Sequence, residues 1–195
     1  MSRFVLASAS PRRREILENI GLTFDIVVSS ADEGSVDRDI GPELLVKELA
    51  MLKASQTAKI CQKDTYIIAA DTIVVFEGEI LEKPKDEADA ERMLSMLSGK
   101  RHSVYTGVCI FKTPEAKAVC KCEKTDVVFR GLTPETIRKY IKTGEPMDKA
   151  GAYGIQGKGA LLVKEIHGDY FNVVGLPVGL LGEMFREEFD ITLLE

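Results

Sequence analysis

The chain has 195 residues, 45% of them hydrophobic, and a formal net charge of −5. This length is typical of one domain, over residues 1–195, that buries a substantial core and forms two lobes around a cleft. The acidic balance argues against a broad nucleic-acid-binding surface, and the lack of a long apolar run or a signal-like N-terminus argues against a membrane or secreted protein. We therefore expect a cytoplasmic protein that binds neither nucleic acid nor membranes.

Apolar spacing and turn residues predict strands and helices that alternate along the chain. The first three elements form a β-α-β pattern, and short continuous apolar runs are typical of strands covered on both faces. This order predicts a mixed α/β fold, with a mixed central β-sheet flanked by helices. The predicted elements are strand 3–6, a helix from Pro11 that ends at Gly21, strand 24–28, helix 42–60, strand 66–70, a hairpin over 73–81, helix 86–97, strands 102–111 and 119–129, and helix 134–142.

The start of the first helix carries an unusual charge. Ser10 fits the N-cap and Pro11 the first helical position, but Arg12, Arg13 and Arg14 follow in the first turn. Because the helix dipole already makes this end positive, each added cation costs about 0.3–1 kcal/mol. A bound triphosphate would offset that cost, since each charge-assisted hydrogen bond contributes about 1.5–3 kcal/mol. The alternative is that single arginines pair with carboxylates or point into water.

Two carboxylates are candidates for chemistry. Asp71 follows the apolar run 66–70, and ligands of open α/β sheets collect at the carboxyl ends of strands. A carboxylate there can hold a divalent metal against phosphate oxygens or act as a general base toward water. Glu33, on the polar loop after the second strand, can supply a second metal ligand. The alternatives are an Asp that pairs with a nearby lysine and a solvated acidic loop.

Lys53 and Lys83 are candidate phosphate ligands, because a compact ammonium suits the outer phosphates of a nucleotide. Lys83 directly precedes Pro84, whose ring favours an extended conformation at the preceding residue. Ordinary surface charge is the alternative for each lysine.

Other chemistries find little support in the sequence. Cys120 and Cys122 are spaced to share one face of a strand, and no paired histidines complete a zinc site, which favours reduced structural thiols. No P-loop motif occurs, and no dinucleotide-binding glycine motif follows the first strand. Neither histidine lies in a recognisable nucleophile context, so a serine hydrolase is poorly supported.

A set of ordered motifs resembles one protein family. The string from Ala7 to Leu17, Ala-Ser-Ala-Ser-Pro-Arg-Arg-Arg-Glu-Ile-Leu, is similar to the opening motif of the Maf, or septum-formation-inhibitor, family of nucleotide pyrophosphatases. Further blocks match in the same order, so the resemblance runs essentially end to end. They are Ala70-Asp71-Thr72, Leu81-Glu82-Lys83-Pro84, Leu97-Ser98-Gly99, Val104-Tyr105-Thr106-Gly107, residues 145–157 and residues 169–177.

The resemblance implies an enzyme that cleaves nucleoside triphosphates between the α- and β-phosphates in a nucleotide-binding cleft, with Mg²⁺ or Mn²⁺ as cofactor and Asp71 as proton acceptor. It also suggests a homodimer. In the branch that acts on dTTP and UTP, the positions associated with base choice correspond here to Arg12, Thr72 and Gln156. The sister branch that prefers 7-methyl-GTP carries Trp, Gln and Glu at these positions.

The chemistry of Gln156 agrees with a pyrimidine substrate. Its amide can both donate and accept, as the carbonyl and N–H edge of uracil or thymine requires. Because a pocket discriminates against a missing methyl group by only about 1–3 kcal/mol, we expect activity on both dTTP and UTP, and modified pyrimidine triphosphates can be substrates too.

The expected site combines metal binding with phosphate binding. Asp71 and Glu33 would hold the metal, and Asp71 would take the proton of the attacking water. Because a metal-bound carboxylate is a weaker base, the division of these two roles between Asp71 and Glu33 stays open. Arg13, Lys53 and Lys83 would stabilise the leaving pyrophosphate. Ser8 or Ser10 would donate a hydrogen bond to a phosphate oxygen.

Two other functions stay open from the sequence. One is a non-catalytic nucleotide-binding regulator of cell division, which binds without forming product. The other is a pyrophosphatase for purine triphosphates such as ITP or XTP, although Arg12, Thr72 and Gln156 speak against it.

Overall fold

The computed structural model of the chain describes residues 3–62 and 64–194. Its strands are β1 (Arg3–Leu6), β2 (Phe24–Ile26), β3 (Thr65–Phe76), β4 (Glu79–Leu81), β5 (Arg101–Lys112), β6 (Lys117–Phe129) and β7 (Val163–His167). Its helices are α1 (Pro11–Asn19), α2 (Pro42–Ala58), α3 (Glu87–Leu97), α4 (Pro134–Ile141), α5 (Tyr170–Val174) and α6 (Val178–Phe189), with short 3-10 helices at Glu33–Ser35, Glu145–Asp148, Ala150–Ala152 and Gly157–Leu161.

The described strands form one mixed seven-stranded sheet. Its order is β2-β1-β3-β5-β6-β7, and β4 pairs with β3 off this path. β1 runs parallel to both β2 and β3, and its ladder with β3 ends where Leu6 lies opposite Ile68. β4 pairs antiparallel with β3, and β7 pairs antiparallel with β6. The predicted mixed α/β sheet and its β-α-β opening are therefore confirmed.

The chain packs as two compact units. Unit 1 contains the described residues of Met1–Asp71, Thr106–Glu123 and Gly175–Glu195, and unit 2 contains Thr72–Tyr105 and Lys124–Val174. Strands β3, β5 and β6 contribute residues to both units. The expectation of a single domain with two lobes around a cleft stays a prediction.

In unit 1, helix α2 packs on the sheet through small side chains. Ala50 and Ala54 of the helix are fully buried in a cluster with Ile67 and Ala69 of β3. Gly107 of β5 allows a still closer approach, because a Cβ at this position would overlap the carbonyl group of Val46. This packing fixes α2, and with it Lys53, against the strand that carries Asp71.

In unit 2, a larger apolar cluster forms around α3 and α4. Asp86 caps α3, since its Oδ1 accepts a hydrogen bond from the Asp89 N–H at 2.8 Å. Thr133 caps α4 in the same way, as its Oγ1 accepts from the Thr136 N–H at 3.1 Å. The predicted start of a helix at Thr133-Pro134 is therefore confirmed.

One predicted boundary is wrong. Strand β3 does not end at Asp71 but continues to Phe76, so the apolar run 66–70 and the first arm of the hairpin are one strand of 12 residues. The β-branched run from Thr72 to Val75 favours extended backbone, and the pairing partner changes from parallel β1 to antiparallel β4. The hairpin itself is confirmed, with its turn at Glu77 and Gly78, which both have positive φ.

Within the described part of the chain, every helix is too short or too polar to span a lipid bilayer.

Candidate active site

Three predicted site residues meet in unit 1. The ammonium of Lys53 lies 2.5 Å from Oδ1 of Asp71 and 3.2 Å from Oε1 of Glu33. The side chains of Lys53 and Asp71 are only 14% and 13% exposed, whereas that of Glu33 is 47% exposed. The site is therefore a largely buried ion pair with a second carboxylate at its solvent side.

Each member of this group has a separate structural support. Lys53 lies on α2 next to buried Ala54, so its stem is held by the packing of the helix on the sheet. Asp71 lies on β3 three residues beyond Ile68, the last partner of β1. It is thus past the carboxyl end of the parallel ladder although it is inside the long strand β3, and this is the edge at which ligands of parallel sheets bind.

Glu33 is positioned by a local turn. It begins the 3-10 helix Glu33–Ser35, and the Oδ1 of Asp32 accepts a hydrogen bond from the Gly34 N–H at 3.1 Å. The loop that the sequence predicts to be polar and solvated is therefore shaped by its own side chains, and it directs one carboxylate toward Lys53.

Arg13 organises the loop before α1. Its Nε donates to the Gly175 carbonyl at 2.7 Å, and its Nη1 donates to Ser8 Oγ at 3.2 Å. Burial lowers the pKa of Arg13, while the negative charges of Asp71 and Glu33 act in the opposite direction. Arg13 therefore lies in the electrostatic field of the carboxylate site and ties the N-terminal loop to the C-terminal part of unit 1.

The other residues of the arginine motif have different environments. Arg14 is exposed and pairs with Glu18 one helical turn later, at 2.7 Å, which is the carboxylate pairing that the sequence left open. Arg12 is half-buried. Ser10 is the N-cap of α1, as the sequence predicts, although its side chain makes no capping hydrogen bond. Its backbone N–H donates instead to Ser8 Oγ, at 3.2 Å.

The donor set fits a divalent cation that is shared with a phosphate. Asp71 and Glu33 each direct one oxygen at the Lys53 ammonium, so both carboxylates face the same positive charge. Mg²⁺ is usually held by one or two carboxylates, with phosphate and water oxygens completing its shell. Among residues 3–62 and 64–194, no group of three His, Cys, Asp or Glu side chains gathers as an all-protein metal cage.

The remaining predicted site residues belong to unit 2. Thr72 is half-buried on β3, Lys83 is exposed just after β4, and Gln156 is half-buried before the 3-10 helix Gly157–Leu161. A backbone hydrogen bond joins the segments that carry Lys83 and Gln156. In it, the Gly151 N–H donates to the Glu82 carbonyl at 3.1 Å. Gly151 also packs against Val74, since a Cβ on it would lie 3.0 Å from that side chain.

The cysteines are free thiols. Cys120 and Cys122 both lie on β6, as their spacing predicts. Burial raises the pKa of Cys122 to about 12, so this thiol stays protonated and unreactive at neutral pH.

A buried polar pair in unit 2 was not predicted from the sequence. His102 Nε2 lies 2.7 Å from the hydroxyl of Tyr153, and both rings pack edge-on against Phe129. Burial lowers the pKa of His102 to about 4. The alternation of β5 places His102 on a buried face, but a partner 51 residues away gives no local signal.

Comparison with known proteins agrees with the motifs. The family model for Maf-like proteins matches residues 3–188. A dTTP/UTP pyrophosphatase from Moorella thermoacetica is 53% identical over 94% of this chain and 94% of its own length. Proteins of the same name from Alkaliphilus metalliredigens and Thermoanaerobacter sp. are 50% and 48% identical over 100% and 98% of this chain, and in both cases over 100% of their own length. The chain therefore belongs to the Maf family.

Proposed function

We propose that the protein hydrolyses dTTP and UTP to the nucleoside monophosphate and pyrophosphate. The main support for this proposal is the sequence similarity to relatives named dTTP/UTP pyrophosphatase, which are 48–53% identical over nearly their full length. The geometry of unit 1 agrees with it, since a general base, a cation and an arginine-held loop lie together as phosphate chemistry needs.

Asp71 acts as the general base. Its carboxylate is largely buried and already contacts the Lys53 ammonium, so it is oriented before substrate binds. It accepts the proton of the water that attacks the α-phosphorus, and the bond between the α-phosphorus and the bridging oxygen of the pyrophosphate breaks. Glu33, whose side chain is more exposed, supplies the second carboxylate of the proposed site.

Ser8 and Arg13 bind the phosphate tail together. Ser8 Oγ accepts hydrogen bonds from Arg13 Nη1 and from the Ser10 N–H, so both lone pairs are used and the hydroxyl proton is directed away from them. That proton can be donated to a phosphate oxygen. Lys53 and Lys83 offset the charge that develops on the leaving pyrophosphate.

A divalent metal, Mg²⁺ or Mn²⁺, is part of the proposal. Asp71 and Glu33 would hold it, and it would neutralise phosphate charge and polarise the scissile bond. Lys53, whose ammonium contacts both carboxylates in this structure, would then bind the phosphates.

Base choice rests on Arg12, Thr72 and Gln156. The Gln156 amide supplies one donor and one acceptor, which pair with the carbonyl and N–H edge shared by uracil and thymine. Cytosine presents the opposite pattern, so it is disfavoured when the amide keeps the orientation that pairs with uracil and thymine.

Pyrophosphate release from a nucleotide panel, with Mg²⁺ or Mn²⁺ present, tests this function. The panel contains dTTP, UTP, dCTP, ITP, XTP and 7-methyl-GTP, and we expect turnover of the first two to exceed all others by about tenfold or more. Chelation of the metal is expected to abolish turnover. Binding of nucleotide without product, or a preference for ITP or XTP, would contradict the proposal.

A further inference from the structure

Gln156 lies in a small closed loop, Gly154–Gly159. The two ends of this loop touch, because a Cβ on Gly159 would overlap the carbonyl oxygen of Gly154. Residues 155–158 therefore project from a closed base, and half-buried Gln156 lies in that projection.

Two side chains outside the loop hold its ends. The hydroxyl of Tyr140 accepts a hydrogen bond from the Gly154 N–H at 3.3 Å. The two carboxylate oxygens of Glu145 accept from the Lys158 N–H at 3.1 Å and from the Gly159 N–H at 3.2 Å. Successive backbone N–H groups of this kind form a concavity that favours an anion, and here the Glu145 carboxylate fills it.

The glycine between these contacts lies close to the same carboxylate. Gly157 has φ +62°, and a Cβ on it would lie 3.0 Å from Oε1 of Glu145. The loop thus combines a backbone conformation that favours glycine with a side chain that closes over it.

Tyr140 and Glu145 are themselves well supported. Tyr140 is 4% exposed at the end of α4. Burial first, and then the neighbouring Glu145 carboxylate, raise the pKa of Tyr140 to about 12, so the phenol keeps its proton at neutral pH. The backbone of Glu145 is fixed from both sides, since its N–H donates to Thr143 Oγ1 at 3.1 Å and its carbonyl accepts from Lys149 Nζ at 2.6 Å.

We infer that Tyr140 and Glu145 are positioning residues for base discrimination, which hold the loop Gly154–Gly159 so that the Gln156 amide meets the pyrimidine in a fixed orientation. This inference rests on the proposed function. A loop with glycines at 154, 157 and 159 would otherwise lose much conformational freedom when the base binds. Tyr140 and Glu145, which we call the two anchors, order the loop before the base binds. The loss of loop entropy therefore does not weaken substrate binding.

The test compares Glu145→Gln and Tyr140→Phe with two controls of the same chemistry. Glu135→Gln removes a carboxylate that is 72% exposed on α4, and Tyr170→Phe removes a hydroxyl from a residue that is 40% exposed. For both test variants we expect KM for dTTP to rise about tenfold with kcat within about twofold, and the preference for dTTP over dCTP in kcat/KM to fall about tenfold. Both controls are expected to match the wild-type protein.

A double-mutant cycle identifies the residue through which the anchors act. In a Gln156→Ala background, Glu145→Gln is expected to cause no further rise in KM, because the side chain that the loop presents is already gone. Hydrogen exchange of the Lys158 and Gly159 amides is expected to accelerate in Glu145→Gln and to stay unchanged in Glu135→Gln. Tyr140→Phe, which keeps the buried ring, carries the kinetic test if Glu145→Gln does not fold.

The outcomes separate the inference from the function on which it rests. If the wild-type protein turns over dTTP and UTP but the effects of Glu145→Gln and Gln156→Ala on KM add fully, the inference is wrong and the proposed function stands. The inference is also wrong, and the proposed function still stands, if Glu145→Gln and Tyr140→Phe both keep the wild-type preference for dTTP over dCTP. If the wild-type protein turns over neither nucleotide, the proposed function is wrong and the inference falls with it.

Discussion

The ammonium of Lys53 lies 2.5 Å from Oδ1 of Asp71, and both side chains are largely buried. A buried pair of this kind stabilises a fold only modestly, because desolvation of both charges offsets most of their attraction. It is therefore better explained by function than by stability. The pair keeps a carboxylate oriented at the edge of the parallel strands, and it supplies a cation next to it.

Removal of the Asp71 charge tests its role as a base. We expect Asp71→Asn to lower kcat about a thousandfold, since the amide cannot accept the proton of the attacking water. Nucleotide binding, measured by equilibrium dialysis with dTTP, is expected to stay within about threefold of wild type, because the phosphate-binding groups remain. Asp25→Asn, which removes an exposed partner of Arg3, serves as the control. Turnover retained by Asp71→Asn would refute the assignment.

In the proposed metal site, Lys53 would compete with the metal cation for the two carboxylates. In Lys53→Met, Asp71 and Glu33 lose their shared cation, so Mn²⁺ in the absence of nucleotide is expected to bind about tenfold more tightly, a gain of about 1.4 kcal/mol. Electron paramagnetic resonance of free Mn²⁺ measures this. Lys47→Met removes another lysine of α2, one that pairs with Glu43, and is expected to change nothing. Mn²⁺ binding that is unchanged or weaker in Lys53→Met would show that the carboxylates do not form the metal site.

Arg13 has a structural role that lysine cannot fill. Its guanidinium bonds the Gly175 carbonyl and Ser8 Oγ through separate nitrogens, whereas a lysine offers one point charge. Arg13→Lys is therefore expected to lower the free energy of unfolding by about 1–3 kcal/mol, the cost of a buried carbonyl that loses a charged donor. Urea denaturation compares it with Arg14→Lys, at an exposed ion pair, for which we expect a change below about 0.5 kcal/mol. Equal losses of unfolding free energy in the two variants would show that Arg13 does not hold the N-terminal loop to the Gly175 segment.

His102 predicts how stability depends on pH. Its pKa is lowered from 6.5 to about 4 by burial, so between these values the unfolded chain binds a proton that the folded protein does not. The free energy of unfolding is therefore expected to fall as the pH drops through this window, by about 3 kcal/mol in total from this residue. His102→Gln removes the titrating group and is expected to flatten this part of the curve, measured by urea denaturation between pH 7 and pH 4.5. His167→Gln, at an exposed histidine, is the control, and a curve with equal slope in both variants would show that His102 is not the cause.

Local patterns predicted much of the fold. β1, α3, β5 and β6 follow from apolar spacing and from turn residues such as Gly99 and Pro114, and the structure places them within one or two residues of the prediction. Helix α6 gave no clear signal, because Gly179 and Gly182 lower its helix propensity and its stability comes from packing of Phe185 against Phe4 and Tyr66.

The candidate site was predictable in its residue types but not in its contacts. Asp71, Glu33 and Lys53 were each singled out from local context, yet nothing local indicates that one ammonium contacts both carboxylates. The bond from Arg13 to Gly175 spans 162 residues, and such a contact follows only from the folded chain. The end of β3 was misplaced because an acidic residue inside an extended strand looks like the end of an apolar run.

The most direct test of the proposed hydrolysis follows the oxygen of the attacking water. The protein is allowed to hydrolyse dTTP with Mg²⁺ in water enriched in oxygen-18, and both products are analysed by mass spectrometry. We expect the label to enter dTMP and pyrophosphate to carry none, since Asp71 directs water at the α-phosphorus in the proposed mechanism. Label in pyrophosphate, or release of single phosphate with dTDP, would contradict it.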